Sequence, residues 1–396
     1  MKRRSAPSRP EDLIVFLGPS MPEEEARALV PCRVLPPARQ GDVWRALSLR
    51  PRAIALVDGV FEAQPSVWHH ELLAALDAGV AVFGGGSMGA LRAAELAVHG
   101  VVGVGHIFEA YRRGELVDDA EVALLHADEE HGFRPLTVPL VNVRHAARQA
   151  QDARVLAPRE AQVLVDAAAA LFYQDRTWPR VLAAVGEAWR PDTRAKWEAW
   201  AAGGFEDLKR EDARACLRAA SAFLASGADL PVRTRTGRAP PSSYVRRRRL
   251  VEGLCVTEEA LVSSEEVLSE LRAAPDAREL AEAGLRRALL AGQARSLGLL
   301  PTDEEVARAE AEWWERLGLP PREHEAYLAT CGLDEHEVRR LCEERALERL
   351  MLEHASRVLP DGPSWDEALA TEARLRGRWV DEAQRLGAPK PRRRKR

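Results

Sequence analysis

Phe83-Gly84-Gly85-Gly86-Ser87-Met88-Gly89-Ala90 follows the apolar run Val80–Phe83 and opens an amphipathic stretch, Ser87–Val98. Four glycines around a single serine, placed between a strand pattern and a helix pattern, read as a tight βα turn with Ser87 at the helix start. Working outward, the same alternation recurs on both sides. Leu13–Leu17, Cys32–Leu35, Ala53–Val57 and Val101–Val104 are further short apolar runs, and Pro22–Val30, Gly41–Ser48 and Ser66–Asp77 carry helical spacing between them. Strands alternating with helices in this way predict an α/β fold: a Rossmann-like parallel sheet with helices on both faces.

Beyond about Asn142 the strand signals fade into Ala-, Arg-, Leu- and Glu-rich segments with turns at Gly203–Gly204, Pro240–Pro241 and Gly332. A mainly α-helical C-terminal region is therefore expected. The expected organisation is a disordered basic N-terminus (1–12), an α/β core (13–150), a helical region (151–254), a helical bundle (255–360), and a helix with a basic tail (361–396). The chain has 396 residues with 57 basic and 61 acidic side chains, a net charge of −4. That balance provides no global field for nucleic acid or an anionic membrane. The basic runs Arg246–Arg249 and Arg392–Arg396 lack the interleaved aromatics of a single-strand binder and read as a solvated face and a tail. Five scattered cysteines without a CxxC pair suggest neither a disulfide framework nor a zinc site. No apolar stretch approaches a membrane span and no signal-peptide core follows Lys2-Arg3-Arg4, so a cytoplasmic protein with no nucleic-acid or membrane partner is expected.

The glycine turn satisfies two motifs together. Gly84, Gly86 and Gly89 fit GxGxxG, whereas Gly85, Ser87 and Gly89 fit GxSxG. A dinucleotide fingerprint belongs in the first βα unit with an acid closing the next strand, and neither condition holds here. A nucleophile elbow would expose the Ser87 hydroxyl and let the Met88 and Gly89 N–H groups steady an oxyanion; the simpler reading makes Ser87 an N-cap. Asp58, at the end of a strand and before Gly59, reads either as a site acid on the same rim or as a turn-forming residue. His69 stands three, four and seven residues before Leu72, Leu73 and Leu76, which predicts a buried-face imidazole in the first helical turn, while His70 points away. Glu71, Glu95 and His106 are secondary candidates: a helix-start acid, half of an Arg92–Glu95 surface pair, and a second imidazole at the rim.

Several strings together resemble the TfuA-like family: VFLGPS at Val15–Ser20, DGVFEAQPSVWHHELLAAL at Asp58–Leu76, VFGGGSMGALRAAELAVHGVVGVGHIFEAY at Val82–Tyr111 and DDAEVALLHA at Asp118–Ala127. The likeness covers about Leu13–Val143. Two positions depart from the family pattern: Gly85-Gly86 replaces a more usual Ala-rich pair, and His70 stands where Lys is common. The resemblance implies partnership with a YcaO enzyme in peptide-backbone thioamidation, with the precursor peptide as a further partner. It also implies release of sulfide by hydrolysis of a thiocarboxylated ubiquitin-like sulfur carrier. Carried onto this chain, Ser87, His69 and Asp58 are the expected catalytic residues. Gly85, Gly86, Met88, Gly89 and Arg92 are the expected anion-binding ones, and no cofactor or metal is expected. A non-catalytic adaptor of YcaO and a small-anion or nucleotide-binding α/β protein are the alternatives. Ala288–Leu352 is faintly similar to the helical N-terminal domains of SurA-type peptide-binding chaperones, which implies a docking module for a peptide, the carrier or YcaO; a purely structural helix bundle is the alternative.

Overall fold

The computed structural model describes residues 9–61, 64–227, 243–257, 260–333, 335–354 and 363–387. Residues 1–8 of the expected disordered N-terminus (1–12), the Pro240–Pro241 turn and the tail Arg392–Arg396 lie outside them, whereas Pro10–Asp12 forms a 3-10 turn. The described residues form two compact units, one running to Ser269 and including Leu328–Gly332, the other made of Glu270–Tyr327 and residues from Leu333 onward.

The first unit is built on five parallel strands: β1 (Leu13–Phe16), β2 (Arg33–Leu35), β3 (Ala53–Leu56), β4 (Ala81–Gly84) and β5 (Val102–Gly103). They lie in the order β2-β1-β3-β4-β5. β1, β3 and β4 are buried throughout, so their residues read as continuous apolar runs because both faces are covered. Each observed strand lies within a residue or two of its predicted range. Gly84, read as the start of the turn, instead belongs to β4, where it pairs with Leu56 and Gly103.

Helices α2 (Asp42–Leu47), α3 (His69–Asp77), α4 (Met88–Leu96) and α5 (His106–Arg112) contribute to the core on the face that carries Ile14, Phe16, Ile54, Leu56 and Val82. The opposite face, carrying Leu13, Val15, Ala53, Ala55 and Phe83, is covered by α1 (Glu23–Leu29) and by α10 (Leu208–Ser226). The α10 residues Ala213, Cys216, Leu217, Ala220 and Leu224 are buried there. Leu217 and Leu224 each contribute about 2 kcal/mol by leaving water. The sheet is thus completed by a helix from the stretch that the sequence assigns to a separate helical region.

Between α5 and α10 the chain leaves the sheet. It runs through a coil with two 3-10 turns and then α6 (Leu140–Asp152), α7 (Pro158–Ala169), α8 (Trp178–Val185) and α9 (Pro191–Ala201). These helices share their own core around Leu164, Val181, Trp189 and Trp197. After α10 come α11 (Ser243–Glu252), which contains the run Arg246–Arg249, and an antiparallel pair, β6 (Leu254–Val256) and β7 (Leu261–Ser263). That pair lies within the mainly α-helical remainder, and its three-residue strands are too short to show alternation in the sequence.

The second unit is helical. Ala277–Ser296, Asp303–Leu317 and Glu335–Glu353 are its long helices, and Ala291, Ala294, Leu347 and Met351 form its small core. Among the described residues no helix is long and apolar enough to cross a membrane.

Candidate functional site

The strand order 2-1-3-4-5 reverses direction between β1 and β3, and ligands in open α/β sheets gather beyond the carboxyl ends of strands at such a switch point. Here β1 runs into Leu17-Gly18-Pro19-Ser20 and β3 into Val57-Asp58. Asp58 is buried and holds the two turns together. One carboxylate oxygen accepts the Gly18 N–H at 2.9 Å and the Ser20 N–H at 3.0 Å, while the other accepts the Ser20 hydroxyl at 2.6 Å.

Beside this junction lies a cavity of about 400 Å³ whose lining includes Pro19, Asp58, Phe61, Ser87, Tyr173 and Lys209. Its outer wall comes from the excursion away from the sheet, with Val122, Leu124, Leu125 and His126 on one segment and Tyr173 and Gln174 on another. Arg176 joins those segments, donating to the carbonyls of Ala168, Leu171 and Ala120. A bidentate Arg144–Glu121 pair with bonds of 3.1 and 2.8 Å ties the first segment to α6.

Ser87 reaches the cavity because the backbone around it is forced. Gly89 packs so closely that a Cβ there would lie 1.8 Å from the Leu56 carbonyl oxygen, which only glycine permits. Gly86 has φ +74°, a left-handed conformation natural to glycine. The Gly85 and Gly89 N–H groups are bonded to the carbonyls of Leu56 and Val57, so they hold the turn on β3 rather than facing a ligand. The amides of Gly86 and Met88, flanking Ser87, have no hydrogen-bond partner among the described residues. Ser87 occupies the N-cap position of α4, but its side chain makes no capping bond.

Lys209 is the site residue that sequence reasoning missed. It is 2% exposed and donates to the Val122 carbonyl at 3.0 Å, with its ammonium 3.9 Å from the Asp58 carboxylate. Burial lowers its pKa below the ordinary lysine value, and Asp58 opposes that shift. Its position in the first turn of α10 makes it look like a solvated helix-start charge, and no local signal distinguishes it from such a residue.

Of the expected catalytic residues, the fold brings Ser87 and Asp58 to one cavity, but His69 does not line it. Its Nε2 lies 2.8 Å from Glu95, and its side chain is 44% exposed. The helix begins at His69 rather than Ser66, which turns Glu71, Leu72 and Ala75 inward instead. Arg92 is likewise committed elsewhere, donating to Glu95 and to the Val67 carbonyl. Glu71 is fully buried and accepts three backbone N–H groups, from Gly41, Val43 and Trp68. His106 opens α5 and lines a different cavity, of about 240 Å³.

Residues 58–177 match the family model described as TfuA-like protein. This segment of the chain is TfuA-like. It holds Asp58, the glycine turn, Ser87 and Tyr173, whereas Pro19 and Lys209 of the same cavity lie outside it. No curated protein matches the chain. The TfuA-like segment therefore contributes the Ser87 side of the cavity, and the flanking chain contributes the buried lysine.

Proposed function

We propose that this chain is the sulfur-releasing partner of a YcaO-dependent thioamidation system, hydrolysing the thiocarboxylated C-terminus of a ubiquitin-like carrier in the Ser87 cavity. The observation that carries this reading is a buried lysine of lowered pKa in the same cavity as a serine whose hydroxyl caps no helix. A serine is a weak nucleophile until a base takes its proton, and a desolvated lysine is held closer to its neutral, basic form. Serine–lysine pairs are a known variant of the triad arrangement.

In this scheme Lys209 removes the Ser87 proton as Oγ attacks the thiocarboxylate carbon. The unpartnered Gly86 and Met88 amides, at the start of α4, supply donors for the developing oxyanion. Asp58 and the Val122 carbonyl then stabilise the ammonium, which passes its proton to sulfur as the carbon–sulfur bond breaks. Water cleaves the resulting serine ester through the same base. Overall, one thiocarboxylate and one water yield one carboxylate and one hydrogen sulfide.

The test incubates the purified chain with thiocarboxylated carrier and measures sulfide. Wild type is expected to release it, and His69→Ala to retain that activity. Ser87→Ala and Lys209→Met are expected to lose about 100-fold or more, the usual weight of a general base. Sulfide no faster than the uncatalysed rate with wild type would overturn the hydrolase reading. A non-catalytic adaptor is the second reading, favoured by exposed apolar side chains on the helical unit, among them Trp365 (78% exposed) and Leu369 (60%). It predicts faster thioamidation by YcaO in the presence of Ser87→Ala protein.

A further inference from the structure

A second cluster of ionisable groups lies outside the Ser87 cavity, where α6 meets the start of α10. His145 projects from α6, Glu206 precedes α10, and Glu211 lies in its first turn. One ligand-type atom from each lies within 4.8 Å of the others. The His145 Nε2 is shut off from solvent and has no hydrogen-bond partner, with the nearest Glu211 oxygen 3.9 Å away. A buried polar atom left unpaired costs about 1–3 kcal/mol, so an orphaned imidazole nitrogen facing two carboxylates calls for an explanation.

Burial lowers the His145 pKa, which favours the neutral imidazole, the form that offers a lone pair. A cation would satisfy all three groups together. We infer that His145, Glu206 and Glu211 form a binding site for a borderline divalent transition ion of the zinc, cobalt, manganese and iron class. One imidazole nitrogen with two carboxylate oxygens and no thiolate suits those ions better than soft ones. Around a tetrahedral ion with bonds of about 2.1 Å, ligand atoms stand about 3.4 Å apart, so the contraction required is at most about 1.4 Å.

Three protein ligands leave coordination positions open, and His145 also lines the cavity of about 240 Å³ that holds His106, Glu109, Arg113 and Arg148. The ion would fasten α6 to the turn that carries Lys209. That turn is already tied to α6 by the Lys209 N–H to Asn142 and by the Glu206 N–H to Gln149. The site stands independently of the hydrolase reading, because its test does not measure activity.

The full chain, stripped of metal, is titrated with cobalt(II) and followed by visible absorption, then by competition with zinc. The expected result is one equivalent bound, with weak nitrogen–oxygen ligand-field bands and no sulfur charge-transfer band in the near ultraviolet. His145→Ala and Glu206→Gln should each weaken binding by more than about 10-fold, since even outer-shell losses reach that size. His131→Ala, an exposed histidine paired with Asp128, should leave it unchanged. Glu206 is exposed, so its glutamine variant decides the matter if the His145 variant fails to fold. No bound equivalent, a thiolate-type spectrum, or unchanged affinity in Glu206→Gln would overturn the site.

Discussion

Glu71 accepts N–H bonds from Gly41, Val43 and Trp68 and so joins the start of α2 to the start of α3. In the sequence it is one of several acids near a helix start, and nothing local separates a ligand from a brace. Burial raises its carboxyl from the ordinary 4.5 to about 7, with the three backbone donors opposing the rise. Because the folded value exceeds the unfolded one, the native state holds a proton that the unfolded chain has released. Its contribution is complete below about 4.5 and is lost as the pH climbs through about 7. Melting temperatures measured from about pH 5 to about pH 8 should therefore fall more steeply in wild type than in Glu71→Gln. Equal slopes in the two proteins would show that Glu71 does not hold the proton. Lys209 and His69 make the complementary pair at this scale: the lysine looks exposed in sequence and is sealed, and the histidine looks inward and pairs with Glu95 at the surface.

Among elements, α10 does more than cover the sheet. Its buried Asp212 accepts the N–H groups of His106 at 2.9 Å and Ile107 at 2.7 Å, so a helix distant in sequence serves as the N-terminal cap of α5. α5 has glycine at its own cap position and no side-chain cap there. Asp212→Ala should cost about 3 kcal/mol, the price of leaving both amides unpaired in a dry interface. Urea unfolding followed by circular dichroism measures it, and a loss under about 1 kcal/mol would show that water reaches those amides. The elements themselves were largely legible. β1, β3 and β4 could be read because strands buried on both faces are uniformly apolar, and α4 because a glycine turn precedes it. The β6–β7 pair was not legible, since Leu254–Val256 and Leu261–Ser263 carry no periodicity.

At the scale of the whole molecule, the sheet depends on chain that arrives late. A chain ending at Ala201 would retain every strand of the parallel sheet but leave the face carrying Leu13, Val15, Ala55 and Phe83 without α10. It should aggregate or bind hydrophobic dyes on expression, whereas a chain ending at Ser269 should remain folded; comparable solubility of the two would contradict this layering. The sequence by itself determined the parallel α/β architecture, the glycine turn and the TfuA-like character of the segment around it, because hydrophobic period, turn chemistry and motif strings are local properties of the chain. Only the tertiary structure decided which charges meet. It placed Lys209 against Asp58 beside Ser87, kept His69 out of that cavity and brought His145 together with Glu206 and Glu211. The physical reason is that burial and pairing depend on which distant segments close over a side chain, and spacing along the chain does not encode that closure.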